Sequence, residues 1–324
     1  MKRYYYTAAV ALSLMSTVAI ASNTASVQST TMASSIGSGS RTYAAATTTI
    51  PGGVEKSATS RNAWDKDSYW RIALAEVVAK GTSYDQITPY KVERYETVLL
   101  LEYFRSKMSF GIMPIFLRVN TAFKALPASD YEKSAGLVPF ANYLFAPSWL
   151  ATVQAGYYYE NHNWRTQQFA GGPANLDWRQ QAHRYFGAGY VTWIGPQRMV
   201  TGSIRAGTSF QYSKFMQAFD ALGRNNPASN FQRGAVSLSG RLKYSPADAW
   251  ELYFQTEVDY SYRVTRRDSE FRKGGGRQSI RFVAGPGVNY NPSATTEVSM
   301  AYNSVQGWGY YRENQIILRL RMLV

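Results

Sequence analysis

Charged residues recur at every second position along several short segments of this chain. In a β-strand, residues two apart share one face, so each set would present its charges to the same side. Arginine stays charged at all physiological pH values and binds carboxylates and phosphates through two parallel hydrogen bonds. We predict that eleven such residues line one enclosed surface: Arg94, Arg118, Arg205, Arg241, Lys243, Glu251, Glu257, Asp259, Arg281, Arg319 and Arg321.

These charges support two interpretations, and the sequence leaves both open. An arginine-rich wall would attract anionic or acidic-sugar solutes into a pore. Alternatively, Glu251, Glu257 and Asp259 lie on the segment next to Arg241. Cross-strand pairs of this kind would fill a narrow interior and close it.

A second concentration of charge lies between residues 263 and 277. It contains six basic residues around a flexible Gly274-Gly275-Gly276 run: Arg263, Arg266, Arg267, Arg272, Lys273 and Arg277. Charge-assisted hydrogen bonds from these side chains would suit a surface polyanion such as the phosphates of lipopolysaccharide. A loop that is only solvated would have the same composition.

The chain has few groups for catalysis. It contains two histidines, His162 in a predicted outer loop and His183 at the start of a predicted strand, and no cysteine. The absence of cysteine excludes disulfides, thiol catalysis and Cys-ligated metal, and neither the H-E-x-x-H nor the G-x-S-x-G motif occurs. We therefore expect no enzyme activity, no cofactor and no metal.

The elements that would position the charges are clearest in residues 234–262. Val236, Leu238 and Leu242 alternate with polar residues before a short turn at 245–248. Leu252 and Phe254 continue this alternation after it. Period-two alternation across a short turn predicts a β-hairpin. Each arm has the roughly 10-residue length of a tilted membrane-spanning strand.

Aromatic residues bracket the apolar face of this hairpin. Tyr244 and Trp250 flank the turn, and Tyr260 and Tyr262 lie at the far end. Aromatic girdles at both membrane interfaces are typical of transmembrane barrels. The chain has 324 residues, 45% of them hydrophobic, a mean hydropathy of −0.31, and no apolar run outside the N-terminus that approaches a spanning helix.

Two segments of different composition lie N-terminal to these elements. Residues 1–21 combine Lys2 and Arg3 with an apolar run that ends in Ala19-Ile20-Ala21, which predicts a cleaved secretory signal peptide. Residues 22–67 are rich in Ser, Thr, Ala and Gly and predict a flexible periplasmic leader. The net charge of +14 becomes +12 without Lys2 and Arg3. Export disfavours nucleic acid as the partner of these basic residues.

Strand patterns continue through residues 68–324. Residues 69–80 fit either a strand or a short helix, and the alternation of Trp70, Ile72 and Leu74 favours the strand. Turns at Pro147, Pro196, Pro246 and Pro292 alternate with longer polar connections. This alternation predicts an all-β, antiparallel, up-and-down transmembrane barrel of about twelve strands.

In these features the sequence resembles Gram-negative outer-membrane β-barrels, without a recognisable closer family. The last strand, 314–324, resembles the signal read by the barrel-assembly machinery, but it ends in Val324 where an aromatic is usual. The resemblance implies a location in the outer membrane. It also implies partners among its lipids, lipopolysaccharide and the assembly machinery, with a further periplasmic partner through the leader.

The function expected from this resemblance is a porin-like passive channel for small anionic or sugar-like solutes. An accessory barrel of envelope or exopolysaccharide export is one alternative. A surface receptor or adhesin that uses the outer loops is another.

Overall fold

The computed structural model describes residues 68–83, 90–123, 128–166, 176–196, 199–219, 225–226, 228–247, 249–263, 278–307 and 311–324. The predicted signal peptide (1–21) and leader (22–67) lie outside these residues. So do five of the six residues of the predicted basic loop. Arg263 ends a described strand, but its side chain is not among the described ones.

The described part of the chain is built almost entirely from strands. They are β1 (Ser68–Ser83), β2 (Tyr90–Arg105), β3 (Met108–Phe123), β4 (Ala128–Ala146), β5 (Trp149–Thr166), β6 (Leu176–Ile194), β7 (Val200–Phe215), β8 (Ala218–Phe219), β9 (Asn225–Asn226), β10 (Ser229–Ala247), β11 (Trp250–Arg263), β12 (Gln278–Ser293), β13 (Thr296–Gly307) and β14 (Tyr311–Leu323). Residues 69–80 are strand, as their alternation favoured. Within the described ranges, no helix is long and apolar enough to cross a membrane.

Twelve of these strands form one closed antiparallel barrel, and β8 pairs with β9 in a separate two-stranded sheet. Each barrel strand pairs with its neighbours along the chain, and β1 closes the ring against β14. The seam ends with two backbone hydrogen bonds of 2.9 Å between Trp70 and Val324. The predicted twelve-stranded barrel is therefore confirmed.

The outer face of the barrel is apolar. Leu238 on β10 is 55% exposed and Phe254 on β11 is 50% exposed, whereas the intervening polar residues are buried inside. The rings of Trp250 and Tyr290 pack against each other at a tilt of 36°, with their centroids 4.6 Å apart. About ten residues separate Trp250 from Tyr260, which at ~3.4 Å per residue and a tilt of about 40° spans roughly 25 Å along the barrel axis. This height matches the apolar band of an outer-membrane barrel.

The two ends of the barrel differ. At one end β2–β3, β4–β5, β10–β11 and β12–β13 are joined by two-residue turns, and we call this the tight-turn end. The other end, where β5–β6 and β11–β12 are joined by long connections, is the loop end.

Several strands continue into segments that the sequence predicted as loops. His162, predicted in a loop, therefore lies within β5.

The inner face of β1 to β6 is partly apolar, which corrects the predicted direction of Arg118. Met113, Ile115 and Leu117 of β3 are buried in the interior, and Met113 and Ile115 pack in a cluster with Val98 of β2. Both faces of β3 are apolar, so alternation alone does not identify the lipid face. Arg118 has the opposite parity and lies exposed on the outer face.

Candidate functional site

The candidate site is the inner wall of the barrel. Ten of the eleven predicted lining residues lie on the inward face: Arg94, Arg205, Arg241, Lys243, Glu251, Glu257, Asp259, Arg281, Arg319 and Arg321. They come from strands β2, β7, β10, β11, β12 and β14, which the closed sheet brings around one axis. Their functional role as a pore lining stays a prediction.

Most inward cations have an inward carboxylate beside them. Arg281 contacts Asp259 at 2.5 Å and Glu257 at 3.0 Å. Lys243 contacts Glu251 at 3.2 Å. Cross-strand pairing is therefore present along β10 to β12. It is the arrangement that the sequence left open as an alternative to an open cationic wall. Five further inward pairs are Arg71–Glu102, Arg94–Glu313, Arg184–Glu160, Arg205–Glu257 and Arg321–Glu297.

A hydrogen-bonded chain of side chains runs around part of the interior. Arg241 donates to Gln255 at 2.9 Å, Gln255 to Asn303 at 2.8 Å, and Asn303 to Gln315 at 3.5 Å. Gln315 in turn donates at 2.5 Å to Glu313, which also accepts a hydrogen bond from Arg94. The chain connects β10, β11, β13, β14 and β2. It fixes these side chains relative to one another in a region of low dielectric, where hydrogen bonds are strong.

Glycines on the inner face make room for aromatic rings from neighbouring strands. A Cβ added at Gly287 of β12 would lie 2.2 Å from the ring of Tyr253 on β11. The Tyr253 ring in turn lies 4.6 Å from the guanidinium carbon of Arg241, a cation–π contact. Gly287 therefore helps to position Arg241 through Tyr253.

Arg319 differs from the other inward cations. Its Nε is buried without a hydrogen-bond partner, and among the described residues it has no ion pair. The nearby carboxylate, Glu297, is paired with Arg321. Arg319 is partly buried and Glu297 acts on it electrostatically, but the hydrogen bond that its buried Nε lacks still costs free energy. The position therefore favours an anion that would supply the missing partner.

The inward charges are distributed unevenly along the axis. Counted along each strand from its tight-turn end, the first half of the wall has six cations against three carboxylates. The cations are Arg71, Arg205, Arg241, Lys243, Arg319 and Arg321, and the carboxylates are Glu102, Glu251 and Glu297. The second half has four cations, Arg94, Arg184, Arg233 and Arg281, against seven carboxylates, Glu96, Asp130, Glu132, Glu160, Glu257, Asp259 and Glu313. Within the described residues, the interior is cationic toward the tight turns and acidic toward the loops.

The acidic half contains a compact cluster that the sequence did not indicate. Glu132 of β4 and Glu160 and His162 of β5 place one potential ligand atom each within 4.8 Å of the others. Asp130 contacts His162 Nδ1 at 3.2 Å. The cluster could have been predicted from acidic residues and a histidine at alternate positions on two adjacent strands. The sequence analysis missed this pattern because it placed His162 in a loop.

The second histidine is not part of this wall. His183 lies on the outer face of β6, where its Nδ1 is 2.8 Å from the hydroxyl of Tyr157.

Comparison with known proteins identifies the fold. No family model and no curated protein matches the chain. The translocator domain of autotransporter NalP from Neisseria meningitidis superposes with a TM-score of 0.68 at 11% identity, covering 78% of this chain and 88% of that one. The beta domain of the Bordetella autotransporter Brka gives 0.61 at 11% identity, with coverage of 79% and 99%. The transport unit of autotransporter AIDA-I from Escherichia coli gives 0.51 at 10% identity, with coverage of 79% and 90%.

These neighbours are transmembrane barrels, and the chain shares their strand arrangement. At identities this low the similarity concerns the fold, and function is argued from the inner wall. The chain has the closed, twelve-stranded antiparallel fold of Gram-negative outer-membrane β-barrels.

Proposed function

We propose that this barrel is a narrow passive channel of the outer membrane for small anionic solutes, including acidic sugars. The proposal depends on the inner wall, because the fold by itself is shared by barrels of different functions. The charge of the tight-turn half would select anions, and the paired side chains around it would limit their size.

The observation that carries the proposal is Arg319, an inward, partly buried arginine whose Nε has no hydrogen-bond partner and which makes no ion pair within the described residues. A site with fixed hydrogen-bond donors and no counter-ion binds an anion without first breaking an internal pair. Arg241 and Arg321 both act electrostatically on Arg319, so three guanidinium groups contribute to the same local field, which Glu297 offsets in part. Arginine suits carboxylate and phosphate solutes because its planar fork binds two oxygens.

The acidic half of the wall has a consequence for transport. An anion that enters from the loop end passes carboxylates before it reaches Arg319, whereas one that enters from the tight-turn end meets the cations first. We therefore expect currents of different size at opposite voltages. A pore with one sign of charge throughout would not produce this asymmetry by itself.

Planar bilayer recording of the purified chain tests the proposal. Under a KCl gradient, the reversal potential of the wild type is expected on the anion-selective side, and Arg319→Ala is expected to move it toward cation selectivity. Arg319→Lys keeps the charge and is expected to retain most of the anion preference.

Arg118→Ala is the matched control, because Arg118 is an arginine on the outer face of the same barrel. It removes one positive charge from the protein without changing the inner wall, so selectivity should be unchanged. A folded barrel that never conducts would refute the channel. A reversal potential that is the same in Arg319→Ala and Arg118→Ala would refute the role of Arg319.

A second candidate function is that of an export barrel. The observation that suggests it is the shared fold with the translocator domain of NalP. The Ser/Thr-rich residues 22–67 immediately precede β1. If they served export by occupying the interior, their deletion would raise the conductance several-fold. A channel whose size is set by its own wall would conduct equally with and without them.

The remaining expectations from sequence complete this proposal. Residues 1–21 would direct export, and the barrel-assembly machinery would insert the chain through its last strand. Arg263, Arg266, Arg267, Arg272, Lys273 and Arg277 would contact surface polyanions such as lipopolysaccharide.

A further inference from the structure

The acidic half of the interior contains a cluster of ligand-type side chains on β4 and β5, near the loop end. Glu132, Glu160 and His162 all face inward and are almost completely buried, with His162 only 1% exposed. Asp130 lies beside them on β4, two residues from Glu132, and Arg184 approaches from β6. The proposed channel function uses these residues only as part of the acidic charge of this half of the wall.

The surroundings of His162 resemble those of a metal-binding histidine, because a carboxylate orients its imidazole ring. Nδ1 lies 3.2 Å from Oδ2 of Asp130, so a proton on Nδ1 would be donated to that carboxylate. This contact would leave the lone pair of Nε2 free, because a neutral imidazole carries one proton. Metal-ligating histidines in proteins are typically oriented by such a carboxylate.

Nε2 of His162 faces the carboxylates but has no hydrogen-bond partner among the residues that the structure describes. Its nearest acidic atom is Oε2 of Glu160, at 3.6 Å, which is too long for a hydrogen bond. Two ligand atoms on one tetrahedral zinc ion, each about 2.0–2.1 Å from the metal, lie about 3.3 Å apart. The separation of Nε2 and Oε2 is therefore closer to the spacing of two ligands than to that of a donor and an acceptor.

The charges of the cluster also favour a divalent cation. Asp130, Glu132 and Glu160 carry three negative charges, and Arg184 supplies one positive charge through contacts of 2.7 and 2.8 Å to Glu160. Carboxylates therefore outnumber the cation in this cluster, and buried carboxylates are stabilised by hydrogen bonds, by ion pairs or by binding a metal ion.

We propose that Glu132, Glu160 and His162 form a binding site for a divalent transition-metal ion of the zinc class inside the barrel wall. Nε2 of His162 and one oxygen each from Glu132 and Glu160 are the ligands. Asp130 holds the imidazole, Ser134 holds Glu132 through a 2.5 Å hydrogen bond, and Arg184 holds Glu160. One nitrogen with carboxylate oxygens favours zinc-type ions over Mg²⁺ and Ca²⁺, which prefer all-oxygen sites.

The test uses the full-length barrel without a histidine tag, refolded in detergent with Zn²⁺, desalted, and assayed for metal by mass spectrometry. We expect about one Zn²⁺ per wild-type chain and less than about a tenth of that in His162→Gln or Glu132→Gln, because each loses a ligand. Asp130→Asn should weaken Zn²⁺ binding by about 10- to 100-fold, the usual effect of losing an orienting carboxylate.

His183→Gln is the matched control, since it removes the other histidine and leaves the cluster intact. It should retain Zn²⁺ at the wild-type ratio. Heat-dependent migration on gels verifies that each variant is folded before its metal content is compared. The proposal is overturned if folded wild-type chain retains no Zn²⁺, or if His162→Gln and His183→Gln retain it equally. Binding of Mg²⁺ as tight as that of Zn²⁺ and unaffected by His162→Gln would also overturn it, because an acidic cluster alone would then explain the binding.

Discussion

The buried pair of Arg94 and Glu313 offers a direct test of how the barrel seam is held. Arg94 belongs to β2 and Glu313 to β14, two strands that are separated by β1. Their side chains meet at 2.9 Å with 1% of each exposed. They can meet because the residues of β1 opposite them are Ala79 and Gly81, which leave the inner surface clear.

Arg94→Met should destabilise the folded barrel strongly. Methionine keeps the length of the side chain but removes its charge, so Glu313 would be left buried with Gln315 as its neutral donor. Removing one partner of a buried ion pair costs about 3–5 kcal/mol. Each 1.4 kcal/mol is a factor of ten, so this loss would increase the unfolding equilibrium constant by a factor of between about 10² and several thousand. The double variant Arg94→Met with Glu313→Leu should recover most of this loss, because an apolar pair replaces a buried ionic pair at little cost.

Urea unfolding in detergent, followed by tryptophan fluorescence, measures these free energies. The control is the exposed pair Lys80–Glu93 on β1 and β2, at 3.2 Å with side chains 69% and 45% exposed. Exposed pairs are worth up to about 1 kcal/mol, so Lys80→Met should have a small effect. If Arg94→Met cost no more than Lys80→Met, or if the double variant were as unstable as the single one, the argument from burial would be refuted.

Two further substitutions test the two faces of the wall. Leu238→Arg places a charge on the apolar outer face, where Leu238 is 55% exposed, and should destabilise the barrel by about 2–4 kcal/mol in a lipid bilayer. An equal stability of the variant and the wild type in vesicles would contradict a lipid-facing position. Gly287→Ala should cost about 1–3 kcal/mol by overpacking, since the new methyl group would lie 2.2 Å from the Tyr253 ring. It should also reduce anion selectivity by displacing Arg241, and an unchanged unfolding midpoint would contradict the close approach.

The hairpin of β10 and β11 was predictable because its two faces differ in polarity. Val236, Leu238 and Leu242 alternate with polar residues, and the paired register joins Leu242 to Phe254 and Leu238 to Val258. Where both faces are apolar, the same reasoning fails. Arg118 on β3 was assigned to the interior, but the inner surface of β3 is occupied by Met113 and Ile115.

The candidate sites were predictable only in part, for a different reason. The sequence identified Arg241, Glu257, Asp259 and Arg281 as inward residues, and the structure shows Arg281 paired with both acids. It did not distinguish Arg319, which makes no ion pair within the described part of the chain, from the paired cations. Pairing depends on the depth at which side chains from different strands meet, and sequence spacing does not encode that depth.

The sequence alone determined the class of fold. In strands such as β10 and β11, alternation between apolar and polar residues, a short turn and aromatic residues near that turn predict a β-hairpin with one apolar and one polar face. These are local properties of the segments concerned. The tertiary structure alone decided which inward side chains meet: Arg94 with Glu313 across β1, and Glu132 with Glu160 and His162 between β4 and β5. The physical reason is that closure of the sheet and the stagger of its strands fix the distances between residues far apart in the chain.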